Sequence, residues 1–321
     1  MQAVVRNEYG ASDALELVEM ERPEVTDEGV LVRVQAVSLN RIDWYHLTGT
    51  PLAGRPEMGL RKPKSPQFHA DFAGTVEAVG KDVTNFSPGD EVFGRGAPLA
   101  EYVCAEPGAI GRKPAGATFE EAASLSVAGR TALQALRDRA QVKPGQKVLI
   151  NGASGSVGTF AVQIAKALGA EVTAVCSTAN VEQARALGAD HVVDYTRDDF
   201  TRSGQRYDVL FDNAGSRSWS ACKRVLTADA TVLLVGGPKK NRLVGPLGHI
   251  VRMKLRARFA GQKAVFFIAK ASSDDLETLA EWLTAGTVKP AIDRRYPLIE
   301  VAEAFRYLGE GHARGKIVIT I

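Results

Sequence analysis

Apolar and polar residues alternate at period two along VLVRVQAVSL (Val30–Leu39), which predicts a half-buried strand. ADFAGTVEAVG, VFGRG and AEYVCAE continue as short strand-like pieces between Gly, Pro and Asp turns, so residues 1 to about 115 read as β-rich. From about Glu120 the period changes, and EEAASLSVAGRTALQALRDRA predicts an alanine-rich helix. KVLIN, EVTAVCS, HVVDY, YDVLFDNAG and TVLLVGG then follow as apolar runs separated by helical segments, the pattern of βαβ units on a parallel sheet. DDLETLAEWLTAG predicts a further helix, and KIVITI a last strand that returns to the first domain. The expected fold class is α/β. A β-rich domain covers residues 1–119 and is completed by 288–321, and a doubly wound parallel-sheet domain covers 120–287.

Length and composition agree with two globular domains: 321 residues, 45% hydrophobic and 24% charged. A net charge of +3 gives no whole-protein field for nucleic acid. Three separated cysteines, Cys104, Cys176 and Cys222, fit a reducing compartment and no disulfide framework. MQAVVRNEYG has no apolar signal core, and no apolar run approaches the length of a membrane span. A cytoplasmic enzyme is therefore the expectation.

The segment NGASGSVGTFAVQIAKALGA (Asn151–Ala170) carries the main chemical signal. It departs from G-x-G-x-x-G by Ala153 at the first position. Behind it lies the strand-like KVLIN, and after it Val157, Phe160, Ala161, Ile164, Ala165 and Leu168 recur at helical spacing. A strand–turn–helix of this kind presents main-chain amides and a helix dipole to a pyrophosphate. Ala153, Ser154, Gly155, Ser156, Val157 and Gly158 are the candidate contacts, Gly155 for close approach and Gly158 for helix–strand packing. The second strand ends in Cys176-Ser177-Thr178-Ala179-Asn180, with no acid before Glu182. No carboxylate is therefore placed to take a ribose 2′-OH, and the Ser177 and Thr178 hydroxyls can donate to a 2′-phosphate, which favours NADP(H). Tyr195 and Arg185 are possible helpers; the other reading is a packed strand end and a solvated helix face.

SLNRIDWY, HADFAGTVEAVG, SPGDEVFG, VAGRTALQAL, VKPGQKVLINGASGSVG, ALGADHVVDY and GHARGKIVITI occur in order along nearly the whole chain. Together they resemble the medium-chain dehydrogenase/reductase superfamily, in its zinc-free quinone oxidoreductase-like branch. The resemblance implies a GroES-like β domain, a Rossmann domain with a cleft between the two, and a homodimer. It also implies NADPH-dependent reduction of quinones or activated alkenes. It carries Thr131 onto the carboxamide side of the coenzyme at a helix start, and Asn213 and Gly215 onto the nicotinamide ribose. Gly236 and Gly237 are carried beside the nicotinamide, and Phe266 and Phe267 over it, with core packing equally open for one of the two. Lys316 either reaches a phosphate or caps a solvent-facing strand.

Zinc members of the superfamily need Cys, His and Cys ligands. Here the first position is Asn40, the second Ala70 beside His69, and SLSVAGRT supplies no Cys, so no metal is expected. Without a Lewis acid, a quinone or enone is a more reducible substrate than a simple ketone, because hydrogen-bond donors suffice for the charge that reaches its oxygen. Asn40 and Tyr45, in the loop after an early strand, are the candidate donors, and Asp43 is expected to fix that loop. Two other functions compete: an NAD(P)-dependent alcohol dehydrogenase, which needs a base or metal not found here, and a non-catalytic nucleotide-binding or redox-sensing protein.

One segment stands apart. KKNRLVGPLGHIVRMKLRARFAGQK (Lys239–Lys263) holds eight Lys or Arg and no acid, with Val244, Leu247, Ile250, Val251, Leu255 and Phe259 at helical spacing. It reads either as an amphipathic helix on an anionic membrane surface, or as a helix covering the active-site mouth or a dimer edge.

Overall fold

The computed structural model describes residues 1–238 and 242–321. Lys239 and Lys240 of the basic segment, with Asn241, lie outside the described residues. The chain divides into two compact units. One comprises 1–50, 54–130 and 270–321, and the other 51–53 and 131–269.

In the first unit a seven-stranded sheet runs in the spatial order Ile292–Pro297, Lys316–Thr320, Val30–Leu39, Ala70–Val79, Glu91–Ala97, Ile110–Arg112, with Tyr102–Ala105 also paired to Val30–Leu39. The C-terminal strand lies antiparallel on Val30–Leu39, with Ile317 opposite Leu39. Val30–Leu39 is not half-buried as its alternation suggested: only Arg33 is exposed and Gln35 partly so. Both faces of this strand are covered, one by a core that includes Phe68, Phe72 and Phe305. The helix Ser273–Thr284, expected in the parallel-sheet domain, belongs to this unit. Its buried Leu276 lies against Gly111, where a β-carbon would come within 3.4 Å of it.

In the second unit six parallel strands run in the spatial order His191–Asp194, Glu171–Cys176, Lys147–Asn151, Tyr207–Asp212, Leu226–Leu234, Lys263–Phe266. In sequence order this is 3-2-1-4-5-6, the doubly wound arrangement. The central strands are buried almost throughout, as expected for a sheet covered on both faces. The segment expected as one alanine-rich helix is three pieces: Phe119–Ala123, Ser126–Leu133 and a π-helical stretch Gln134–Ala140. Ser124 and Leu125 interrupt it, and Gln141 ends it in a left-handed conformation, φ +54°.

Candidate functional site

Because all six strands of the second unit are parallel, their carboxyl ends share one edge of the sheet. Most of the residues expected to hold a coenzyme lie there. The turn 152–155 follows the first strand, Ser177 and Thr178 the second, Tyr195 the third, Asn213 and Gly215 the fourth, Gly236 and Gly237 the fifth, and Phe266 and Phe267 end the sixth. Main-chain bonds carry the ladder past the strand ends. Gly152 and Ala153 N–H donate to Val175 C=O (3.2 and 3.1 Å), and Asn213 and Ala214 N–H to Asn151 C=O (3.0 and 3.2 Å). Val235 and Gly236 N–H donate to Asp212 C=O (3.0 and 3.2 Å), and Tyr195 N–H to Cys176 C=O (3.0 Å). The order reverses between the first and fourth strands, where open α/β sheets bind ligands. There the Asn151 amide donates to Asp212 Oδ1 (2.8 Å), which also accepts Gly215 N–H (2.9 Å).

The turn itself is made differently from the expectation. The positive φ that a tight turn requires, +90°, falls on Gly152, one residue before the first fingerprint position; Ala153 is buried and its amide is spent on Val175. A β-carbon on Gly158 would stand 2.1 Å from Gly152 O, so only glycine lets the helix start meet the strand end. A β-carbon on Gly155 would meet nothing of the protein closer than 3.6 Å, so this glycine leaves open space above the turn. Thr159 N–H is the first to bond back, onto Gly155 C=O (2.9 Å), which leaves the amides of Val157 and Gly158 facing outward from the helix Ser156–Ala167. The cradle fits a diphosphate.

At the second strand end the linear reading missed an acid. Asp194, level with Cys176 in the neighbouring strand, accepts the Thr178 hydroxyl at 2.5 Å and Thr196 Oγ1 at 2.7 Å. These hydrogen bonds, Thr178's first, hold the Asp194 carboxyl below its usual range, and Arg197 lies 3.6 Å away. Arg185 is paired to Glu182. Tyr195 is exposed beside this corner. Phe266 packs on the core of the unit, and Phe267 lies under the Arg139 guanidinium, 5.5 Å from its ring centre. Thr131 is not at a helix start but within Ser126–Leu133, because that helix begins five residues earlier than expected.

In the first unit Asn40 and Tyr45 are not on a loop. Asn40 caps the helix Arg41–Thr48, and Tyr45 is inside it. Asp43 closes the cap as expected, its carboxylate accepting Asn40 N–H at 2.7 Å. The Asn40 side chain, only 5% exposed, points inward: Nδ2 donates to Asp71 (2.9 Å) and Oδ1 accepts from Lys316 Nζ (2.7 Å). Lys316 therefore neither reaches a phosphate nor faces solvent. It is fully buried because its strand lies inside the sheet, with its ammonium 3.6 Å from Asp71. Asp71 also accepts Val127 N–H (3.1 Å). Burial lowers the Lys316 pKa, opposed by Asp71 and Asp43, and pushes the Asp43 carboxyl up to about 7. Burial also raises the Tyr45 pKa, so its hydroxyl keeps its proton, and lowers His46 to about 4, so its imidazole is neutral.

This donor set does not fit a catalytic zinc ion. Asn40 and Ala70 offer neither thiolate nor imidazole, and a buried ammonium already sits between Asn40 and Asp71. Cys104 is engaged elsewhere, against Thr26.

Residues 26–129 match the family model described as "Alcohol dehydrogenase GroES-like domain", and residues 187–319 match "Zinc-binding dehydrogenase". A chloroplastic quinone-oxidoreductase, QR1, of Triphysaria versicolor is 32% identical over 335 residues, covering 99% of this chain and 98% of that protein. The chain belongs to the quinone oxidoreductase-like branch of the medium-chain dehydrogenase/reductase superfamily. Another member, the chloroplastic NADPH-dependent alkenal/one oxidoreductase of Arabidopsis thaliana, is 31% identical over 99% of the chain and 79% of that protein. The structure of the quinone oxidoreductase from Coxiella burnetii superposes with a TM-score of 0.86 at 30% identity, covering 100% of this chain and 99% of that one.

The buried Asp43 makes a stability prediction. Its folded pKa of about 7 lies above the ordinary 3.8, so the folded state keeps a proton that the unfolded chain releases. That contribution is full below about 3.8 and is lost as pH rises through about 7. Between these limits the melting temperature of the native protein should fall relative to that of Asp43→Asn, whose amide cannot ionise. Parallel melting curves across the range would rule out the assigned protonation.

Proposed function

We propose that this protein is a zinc-independent oxidoreductase that transfers hydride from NADPH to a quinone or to an alkene conjugated with a carbonyl. Two observations, one in each unit, support this reading, and the first carries it: an open glycine cradle at the switch point of a doubly wound sheet, and a buried donor set whose cation is an ammonium. Bound NADPH supplies the hydride. The Val157 and Gly158 amides would hold its diphosphate, Thr178 and Tyr195 would lie toward its adenosine ribose, and Asn213 and Phe267 toward its nicotinamide end, where Gly215, Gly236 and Gly237 let the main chain pack closely behind the site. Tyr45 Oη, kept protonated by burial, donates to the substrate oxygen as charge develops there. Asn40 uses one Nδ2 hydrogen on Asp71 and has a second to donate beside it. With no Lewis acid in this scheme, the substrate must delocalise the incoming charge itself, which favours quinones and enones over simple ketones and alcohols.

Two features support the assembly and setting proposed with it, a homodimer in the cytoplasm. Among the described residues strand Lys263–Phe266 ends the sheet with one neighbour, an edge that a second copy can extend. All three cysteines are free thiols.

The decay of NADPH absorbance with a panel of quinones, enones, aldehydes and alcohols, with and without a chelator, tests the reaction. Turnover of quinones or enones unchanged by chelation is expected, and Tyr45→Phe should lower kcat on the order of a hundredfold. Turnover confined to alcohols, or abolished by chelation, would refute the proposal.

Asp194 tests the coenzyme. Its charge is only partly offset by Arg197, so it opposes a 2′-phosphate near Thr178. Asp194→Asn should lower KM for NADPH by roughly three- to tenfold while leaving KM for NADH nearly unchanged. An equal effect on both coenzymes would place the ribose elsewhere.

A further inference from the structure

The helix Leu247–Phe259 has two apolar faces, of which the sheet uses one. Ile250, Met253 and Ala257 are buried against the core of the second unit. Leu247, Val251, Leu255 and Phe259 recur every fourth residue and form a stripe on the other side, 41%, 54%, 52% and 88% exposed. At about 100° per residue this stripe lies roughly opposite the buried face. Lys254 and Arg258 flank it on one side and Arg252 and Arg256 on the other. No acidic residue occurs between Arg242 and Lys263. The flank that carries Arg252 and Arg256 borders a recess of about 270 Å³, lined also by Ser216, Arg217, Ser218 and His249. Among the described residues Arg217 has Asp199 at 3.4 Å and His249 has Asp212 at 3.5 Å, whereas Arg252 and Arg256 form no ion pair.

We infer that this helix docks the protein on an anionic lipid surface, with the apolar stripe lying at the acyl boundary and both basic flanks at the phosphates. An outward apolar stripe bordered on both sides by Lys and Arg is the arrangement of in-plane membrane helices. Each cation near such a surface adds to the attraction, and none here is cancelled by a neighbouring carboxylate on the helix. A second copy of the chain fits this face poorly. A two-fold contact sets the same patch against itself, so basic flanks would meet basic flanks with no acid between them. The open edge strand Lys263–Phe266 is the better seat for another copy. The stripe and its flanks carry this inference whatever the reaction turns out to be.

Cosedimentation of the full chain with vesicles tests it. One set is phosphatidylcholine alone, and the other phosphatidylcholine mixed with phosphatidylglycerol. The native protein should pellet with the mixed vesicles only, and less so as salt is raised. The double variant Arg252→Gln/Arg256→Gln should bind on the order of twentyfold more weakly. Val251→Ser/Leu255→Ser/Phe259→Ser keeps every charge and should lose more than about tenfold. Light scattering without lipid should give one mass for all three proteins, and circular dichroism should show each folded. Equal binding to both vesicle sets, or to neither, would overturn the inference. So would retained binding by the serine variant, which would reduce the helix to a phosphate-binding patch. A smaller mass for that variant would make the stripe an interface between copies and would also overturn it.

Discussion

The helix Ser156–Ala167 begins so close to the end of the first parallel strand that a β-carbon on Gly158 would stand 2.1 Å from the carbonyl oxygen of Gly152. That contact sets the geometry of the carboxyl edge of the second unit's sheet. It seats the helix on the strand, leaves the Val157 and Gly158 amides outside the helix's own bonding, and depends on a residue without a side chain at one point and on a left-handed glycine, Gly152, at another. The neighbouring strand ends are tied to this corner through Val175, Asn151 and Asp212 carbonyls, so the loops around it are held by main chain and not by side-chain packing alone. A site built on main-chain amides tolerates much variation in side chains, which suits a fold used for many reductases.

The first unit rests on a different device. Its last strand brings Lys316 to Asn40 across 276 residues of sequence and buries the ammonium beside Asp71. Burying an isolated charge is costly, and the carboxylate and amide partners offset that cost only when their geometry is right. The network thereby fixes the side chain of Asn40, the cap of the helix Arg41–Thr48 and, through that helix, the position of Tyr45. The same helix holds a neutral His46 and the high-pKa Asp43, so beside the charged Lys316–Asp71 pair it carries groups that burial biases toward their uncharged forms.

What could be read from the sequence follows from how local each signal is. The parallel-sheet half was legible because apolar runs alternate with helical ones, and the turns along its carboxyl edge because Gly, Ser, Thr and Asn follow those runs. Gly152 was misread because Ala153 was aligned to the first fingerprint position, although a glycine directly after KVLIN already marked the tight turn. Asp194 was invisible for a different reason: it belongs to the next strand, and only parallel register sets it level with Cys176. Lys316 could not be placed at all, since its partners Asn40 and Asp71 are joined to it by sheet pairing across the whole chain. The Val30–Leu39 alternation suggested one solvent face, but covering elements removed it.

The central claim, that main-chain amides at the head of the helix Ser156–Ala167 hold the coenzyme diphosphate, is open to direct measurement. The amide resonances of Val157 and Gly158 can be followed by NMR as NADPH is added to the full chain. The account requires both to shift strongly and to become protected from hydrogen exchange at saturation, ahead of amides further along the same helix. Saturating coenzyme binding that leaves these two amides unmoved would contradict it.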